Sequence, residues 1–259
     1  MLKKIIKNTL KYFSYDIKKI HNPNVITFNS EDQEIFNNLF KKCEKESLNV
    51  SKERFLSLFQ SVKYIYKNNI KGDFVECGVF MGGSAMMIAY SIMNTKDPLF
   101  EEKRLWLYDT FTGMANVHES DVNILNQKAN EKLKKTDKKK NSKDIWAYSP
   151  ISYVKENMIK TGLDSSQVVY VEGLVEETLN NKYPEKISLL RLDTDFYLST
   201  KKELEVLYPK LEVGGLLIID DYGHWKGCKK AVDEYFKNKK NIFFQQIDYS
   251  GLIGIKTGE

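Results

Sequence analysis

Asp73-Phe-Val-Glu-Cys-Gly-Val-Phe-Met-Gly-Gly-Ser84 is the stretch on which the reading of this chain turns. It begins as a short apolar run, Phe74 to Val79, broken by Glu76 and Gly78. It ends in Gly82-Gly83-Ser84 and passes into Ala85, Met86, Met87, Ile88 and Ala89, a helix-like run. A strand, a glycine turn and a helix N-terminus in that order form a site for a nucleotide-like ligand. Glycine lets backbone approach where a Cβ would clash. The first helical turn offers free N–H groups and the positive end of the helix dipole.

Outward from this turn the chain alternates. Upstream, Ser30 followed by Glu31, Asp32 and Glu34 reads as a helix start. Phe55, Leu56, Phe59, Val62, Ile65 and Tyr66 recur at helical spacing. Residues 1–70 therefore read as a helical N-terminal extension, a cap or oligomerisation segment, and residues 71–259 as the main domain. Leu2, Ile5, Ile6, Leu10 and Phe13 make one face of an N-terminal helix that docks on the domain or on a second subunit. Downstream, strands are expected at residues 104–109, 167–172, 186–193, 214–220, 241–247 and 251–256. Helices are expected from the glycine turn to about Asn94 and at residues 153–160, 174–179, 199–208 and 226–236. This predicts an α/β fold: a mainly parallel seven-stranded sheet, helices on both faces and an antiparallel end. Residues 115–149 are polar and include a lysine-rich run, residues 131–144. That stretch is either a solvated insertion or a mobile flap over a site.

Composition narrows the classes. The 259 residues are 42% hydrophobic and 29% charged, which is globular and enough for one large domain. The net charge of +5 comes from dispersed lysines and reads as a solvated surface, not a nucleic-acid footprint. Cys43, Cys77 and Cys228 are odd in number and far apart, with no Cys-x-x-Cys. That argues against a disulfide framework or a zinc site and leads us to expect a cytoplasmic protein. The basic N-terminus has no long apolar run, so we expect no signal peptide and no stable membrane insertion.

Ligands of open α/β sheets bind beyond the carboxyl ends of the strands. The expected strands end at Gly82-Gly83, Asp109, Glu172-Gly173, Asp193 and Asp220-Asp221, so these residues should meet at one rim. An acid placed like Asp109 commonly accepts from ribose hydroxyls. Carboxylates crowded at one rim repel unless a cation is present, and all-oxygen ligands suit Mg2+. Asp195 or Asp221 instead caps the following helix, or Asp193 pairs with Arg191, if the cluster is only structural. Asp193-Thr-Asp195 also matches the Asp-x-Asp of a metal-dependent glycosyltransferase.

The motif Glu76-x-Gly78-x-x-x-Gly82 with Asp109 resembles that of class I S-adenosylmethionine (SAM) methyltransferases more than a dinucleotide fingerprint. More specifically, residues 76–84, 108–114, 190–200, 207–211, 214–222 and 225–233 together resemble the macrocin O-methyltransferase family over residues 50–255. The resemblance implies a Rossmann-like class I methyltransferase fold and transfer of a methyl group from SAM to a sugar hydroxyl with Mg2+. It places Glu76, Gly78, Gly82, Ser84, Asp109 and Thr110 in the SAM segments, and Glu172 and Gly173 near the adenine. It makes Asp193, Asp220 and Asp221 the metal ligands and Asp193 a general base. It implies a sugar-containing acceptor, and we expect a homo-oligomer with no nucleic-acid partner. Members often carry Trp-Arg where this chain has Phe80-Met81, and a loop histidine for which His118 is badly offset. A SAM-binding scaffold without turnover is the non-enzymatic alternative.

Overall fold

The computed structural model describes residues 30–95, 103–114, 117–138 and 145–259. The expected helix face from Leu2 to Phe13 lies outside them. The chain divides into two compact units, residues 1–37 and 38–259, and the site lies in the second. Helix α1, Ser30–Cys43, starts where the acid-rich cap predicts and ends on Lys41 and Lys42, complementing its dipole. Helix α2, Lys52–Lys67, belongs to the unit of the sheet, although the sequence groups it with an extension. Ser51 caps it by accepting from the Arg54 N–H.

Seven strands form one sheet in the order β3-β2-β1-β4-β5-β7-β6. They are β1 Asp73–Cys77, β2 Leu105–Asp109, β3 Val168–Glu172, β4 Ile187–Leu192, β5 Leu211–Ile219, β6 Ile242–Gln246 and β7 Leu252–Lys256. The first five run parallel, and β7 pairs antiparallel with both β5 and β6. Helices follow the strands: α3 Gly83–Thr95, α4 Ala129–Lys135, α5 Ile151–Ile159, α6 Val175–Thr178, α7 Tyr197–Leu207 and α8 Lys226–Phe236. Central strands of a parallel sheet are covered on both faces, so they read as unbroken apolar runs. All six residues of β4 are buried. Among the described residues no helix is long and apolar enough to cross a membrane.

Two boundaries differ from the sequence expectation for identifiable reasons. Strand β5 begins at Leu211, not Gly214. Ile187 pairs with Leu211 and Leu189 with Leu216, so residues 212–215 bulge opposite Ser188. Gly214 accommodates the bulge at φ +83. Helix α7 begins two residues early because the Tyr197 N–H finds Asp121 Oδ1 at 2.9 Å, a cap from far along the chain. Asp121 is buried and also accepts from the His118 N–H at 2.6 Å.

The same segment ties down part of the polar insertion. Val122 bridges Lys128, Asn123 bridges Trp225, and the Ala129 N–H donates to the Asp121 carbonyl. Asn123 Oδ1 accepts from the Leu125 and Gln127 amides. These bonds set α4, with wholly buried Ala129 at its first position, beside the loop that follows β5.

Glu203 is a buried acid on α7. Its Oε2 accepts from the Thr194 hydroxyl at 3.2 Å, and its Oε1 has no hydrogen-bond partner. Burial pushes its carboxyl up to about 8, against hydrogen bonds from Thr194 and Cys77. A carboxyl raised on folding costs stability as pH climbs from its unfolded value, and the cost levels off above the folded value. Glu203→Gln should therefore gain stability over wild type with a slope of up to ~1.4 kcal/mol per pH unit between about pH 5 and 8. Urea melts across that range check this; a gap that does not change with pH would contradict it.

Candidate active site

Strand order reverses between β1 and β4, and the cleft opens there, beyond the carboxyl ends of the parallel strands. It measures about 270 Å³. One end is built by the glycine turn. Gly78 takes φ +84, Phe80 φ +52 and Gly82 φ +91, so the backbone winds tightly before α3. A Cβ on Gly78 would overlap the Asp193 carbonyl, which is why β1 and β4 can end side by side. Asp109 braces the turn. Its Oδ2 accepts from the Val79 and Phe80 amides at 2.7 and 3.0 Å, and its Oδ1 from the Phe111 amide at 2.8 Å. Burial raises the Asp109 carboxyl even so.

A buried charge network lies beneath the other end. Arg191, the next-to-last residue of β4, is cross-strand neighbour to Glu76 of β1. Its guanidinium donates to Glu76 Oε1 at 2.5 Å, Asp220 Oδ1 at 2.6 Å and Asp193 Oδ2 at 2.8 Å. Arg54 of α2 pairs with Asp220 Oδ2 and, at 2.8 Å, with Asp248. Burial works against both guanidinium charges, but the surrounding carboxylates outweigh it. Burial also holds the Glu76 carboxyl up at about 7, against Arg191. Glu76 Oε2 has no partner.

Asp193, Asp195 and Asp221 form the acid cluster that faces the cleft, with one oxygen from each within 4.8 Å of the others. Asp195 joins through a γ-turn: its φ is +65, and the Phe196 N–H donates to the Thr194 carbonyl at 2.7 Å. That turn is rare and strained. Burial pushes the Asp195 carboxyl up to about 7, with Asp193 adding repulsion. Asp193 and Asp221 are raised as well, first by burial and then by neighbouring acids. Asp221 Oδ2 is buried without a hydrogen-bond partner. Three crowded carboxylates and one orphaned oxygen fit a divalent cation.

His224, Trp225 and Tyr249 also line the cleft, as do Lys132 and Ile145 of the insertion. His224 Nδ1 lies 3.4 Å from the Tyr249 hydroxyl. Burial, then Lys132 and Arg54, keep its imidazole pKa below the usual value.

Of the residues singled out from sequence, Gly78, Ser84, Asp109, Thr110, Gly173, Asp193, Asp220 and Asp221 line the cleft. Glu76 and Gly82 lie behind its surface, and the Glu172 side chain is exposed at the end of β3. Asp220 lies apart from the converging acid trio, because two arginines hold its oxygens. Asp195 takes the third place and does not cap α7, whose N-cap is Phe196. Arg54 is the residue that the sequence reading missed. Its signal was its position four residues before Leu58, on the buried stripe of α2. His118 is outside the cleft, its ring 4.7 Å from that of Tyr197.

Sheet order, glycine turn and acid rim together define a Rossmann-like class I methyltransferase fold. The sequence profile described as Macrocin-O-methyltransferase (TylF) matches residues 46–253, and this chain belongs to that family. It is 31% identical over 187 residues to demethyldecarbamoylnovobiocin O-methyltransferase of Streptomyces niveus, covering 71% of this chain and 65% of that enzyme. It is 28% identical over 190 residues to mycinamicin III 3''-O-methyltransferase of Micromonospora griseorubida, covering 72% and 68%. The match thus spans just under two thirds of the first relative's length. The solved structure of the O-methyltransferase NovP superposes with a TM-score of 0.72 at 26% identity, covering 88% of this chain and 100% of that one. Calicheamicin methyltransferase CalS11 shares the fold at a TM-score of 0.59 and 18% identity.

The network yields a stability prediction. Arg191→Met strands Glu76, Asp193 and Asp220 without their shared cation, and removing one partner of a buried pair costs roughly 3–5 kcal/mol. Chemical denaturation should show a loss of that order. A variant as stable as wild type would mean that the three acids are neutral in the fold.

Proposed function

We propose that this chain transfers the methyl group of SAM to a hydroxyl of a sugar, assisted by Mg2+. The observation that carries the reading is the meeting, in one cleft, of the glycine turn with an acid cluster that leaves Asp221 Oδ2 buried and unpartnered. The names of the relatives support the reaction class: each is an O-methyltransferase, and the Micromonospora enzyme is named for a mycinamicin substrate.

In this reading SAM lies against the turn from Gly78 to Ser84, with Asp109 and Gly173 at its nucleoside end, and supplies an electrophilic methyl group on sulfur. The brace from Asp109 to the Val79 and Phe80 amides keeps the turn from relaxing when the ligand leaves. Asp193 and Asp221 would hold the cation. The third protein oxygen comes from Asp195, which already converges, or from Asp220, the residue the family resemblance implies. Bound there, Mg2+ supplies positive charge that makes a neighbouring hydroxyl more acidic. Arg191 holds Asp193 Oδ2, which leaves Oδ1 to accept the hydroxyl proton. Fixing that carboxylate beside the methyl donor supplies much of the rate through positioning. His224 lines the acceptor end as a substrate contact. The three cysteines are free and buried, in keeping with the proposed cytoplasmic location, and a homo-oligomer completes the proposal.

Asp193→Asn should abolish methyl transfer to sugar acceptors while SAM still binds in calorimetry. Excess EDTA should silence the wild-type protein, and Mn2+ titration of Asp195→Asn against Asp220→Asn identifies the third ligand. Near-wild-type turnover in Asp193→Asn, or full activity in EDTA, would remove the cation from the mechanism.

A further inference from the structure

Resting on methyl transfer to a sugar, we infer that the acceptor carries an anionic group, phosphoryl or carboxylate, that Lys132 and His224 recognise across the acceptor end of the cleft. Lys132 lines the cleft from α4, and its Nζ makes no hydrogen bond or ion pair among the described residues. It is partly buried, whereas Lys134 and Lys135 on the same helix are exposed. An ammonium that opens on a cleft with no counter-charge beside it is placed to pair with an anionic ligand there. The acids beneath do not supply that counter-charge. Asp220 is taken by Arg54 and Arg191, Glu76 by Arg191, Asp248 by Arg54, and the facing trio is the proposed cation site.

The placement of Lys132 is built in. The Lys226 N–H donates to the Val122 carbonyl at 2.9 Å, and the Ile124 N–H donates to the His224 carbonyl at 3.0 Å. The backbone that carries α4 is thus bonded directly to the loop that carries His224. Both residues, Lys132 and His224, line the same cleft. A neutral sugar would leave the Lys132 ammonium without an opposite charge. An anion beside the methylated ring supplies it: the ammonium acts as a point charge towards the anion, and the neutral His224 imidazole can donate a ring N–H to it.

Calorimetry on the full chain loaded with S-adenosylhomocysteine and Mg2+ tests this. Saturable binding of S-adenosylhomocysteine, measured first, tests the methyl-transfer reading on its own. Glucose 1-phosphate, UDP, glucuronate and methyl glucoside are then titrated at low salt. At least one anionic probe should bind about tenfold or more tightly than methyl glucoside, and added salt should erode the preference. Their ranking separates a sugar phosphate, a nucleotide-linked sugar and a uronic acid. Lys132→Glu should remove the preference and Lys132→Met reduce it, whereas Lys134→Glu, with the same charge change on the exposed face, should leave it intact. Equal affinity for methyl glucoside and all three anions, or equal weakening by Lys132→Glu and Lys134→Glu, would overturn the inference.

Discussion

Arg191 places a full positive charge on a wholly buried strand of a parallel sheet whose other residues, apart from Ser188, are apolar. It is tolerable only because three carboxylates come to it: Glu76 from β1, Asp193 from the end of β4 and Asp220 from the end of β5. Each bond fixes one strand end relative to the next. The rim geometry depends on that contact, because strands that slid by one residue would turn these side chains to opposite faces.

The arginines also divide the acids into two groups. Glu76, Asp220 and Asp248 are compensated within the protein. Asp195 and Asp221 face the cleft with no cation of their own among the described residues, and Asp193 stands between, one oxygen on Arg191 and one free. The γ-turn at Asp195 stores strain to keep this arrangement, a pattern characteristic of functional sites. Asp220 is held by two arginines, and its neighbour Asp221 pairs with neither.

In the proposed reading, the donor and acceptor ends of the cleft are built differently. The donor end is local: one turn, braced by the acid at the tip of the adjacent strand. The acceptor end is assembled from segments remote in sequence, with Lys132 from the insertion, His224 after β5 and Tyr249 before β7. Asp121 locks this assembly by capping α7 and anchoring α4. Gly227 packs so closely on the Asp121 carboxylate that a Cβ there would overlap it. In the proposed reading, substrate choice therefore rests on packing between the insertion and the sheet.

The order of strands and helices, the glycine turn and the presence of acids at the strand ends were legible in the sequence. Each is a matter of local periodicity or of a residue type at a chain position. The apolar runs at Phe74–Val75, Leu105–Leu107 and Leu189–Leu190 announce buried parallel strands. Which acids meet was not legible. Asp220 and Asp221 are adjacent in sequence, yet one faces two arginines and the other the cleft. Arg54 drew no assignment from the sequence, because its partners Asp220 and Asp248 come to it only in the fold. Sequence sets which charges exist and on which element. Burial and distance, which only the folded chain creates, decide which charges neutralise one another and which are left for a ligand.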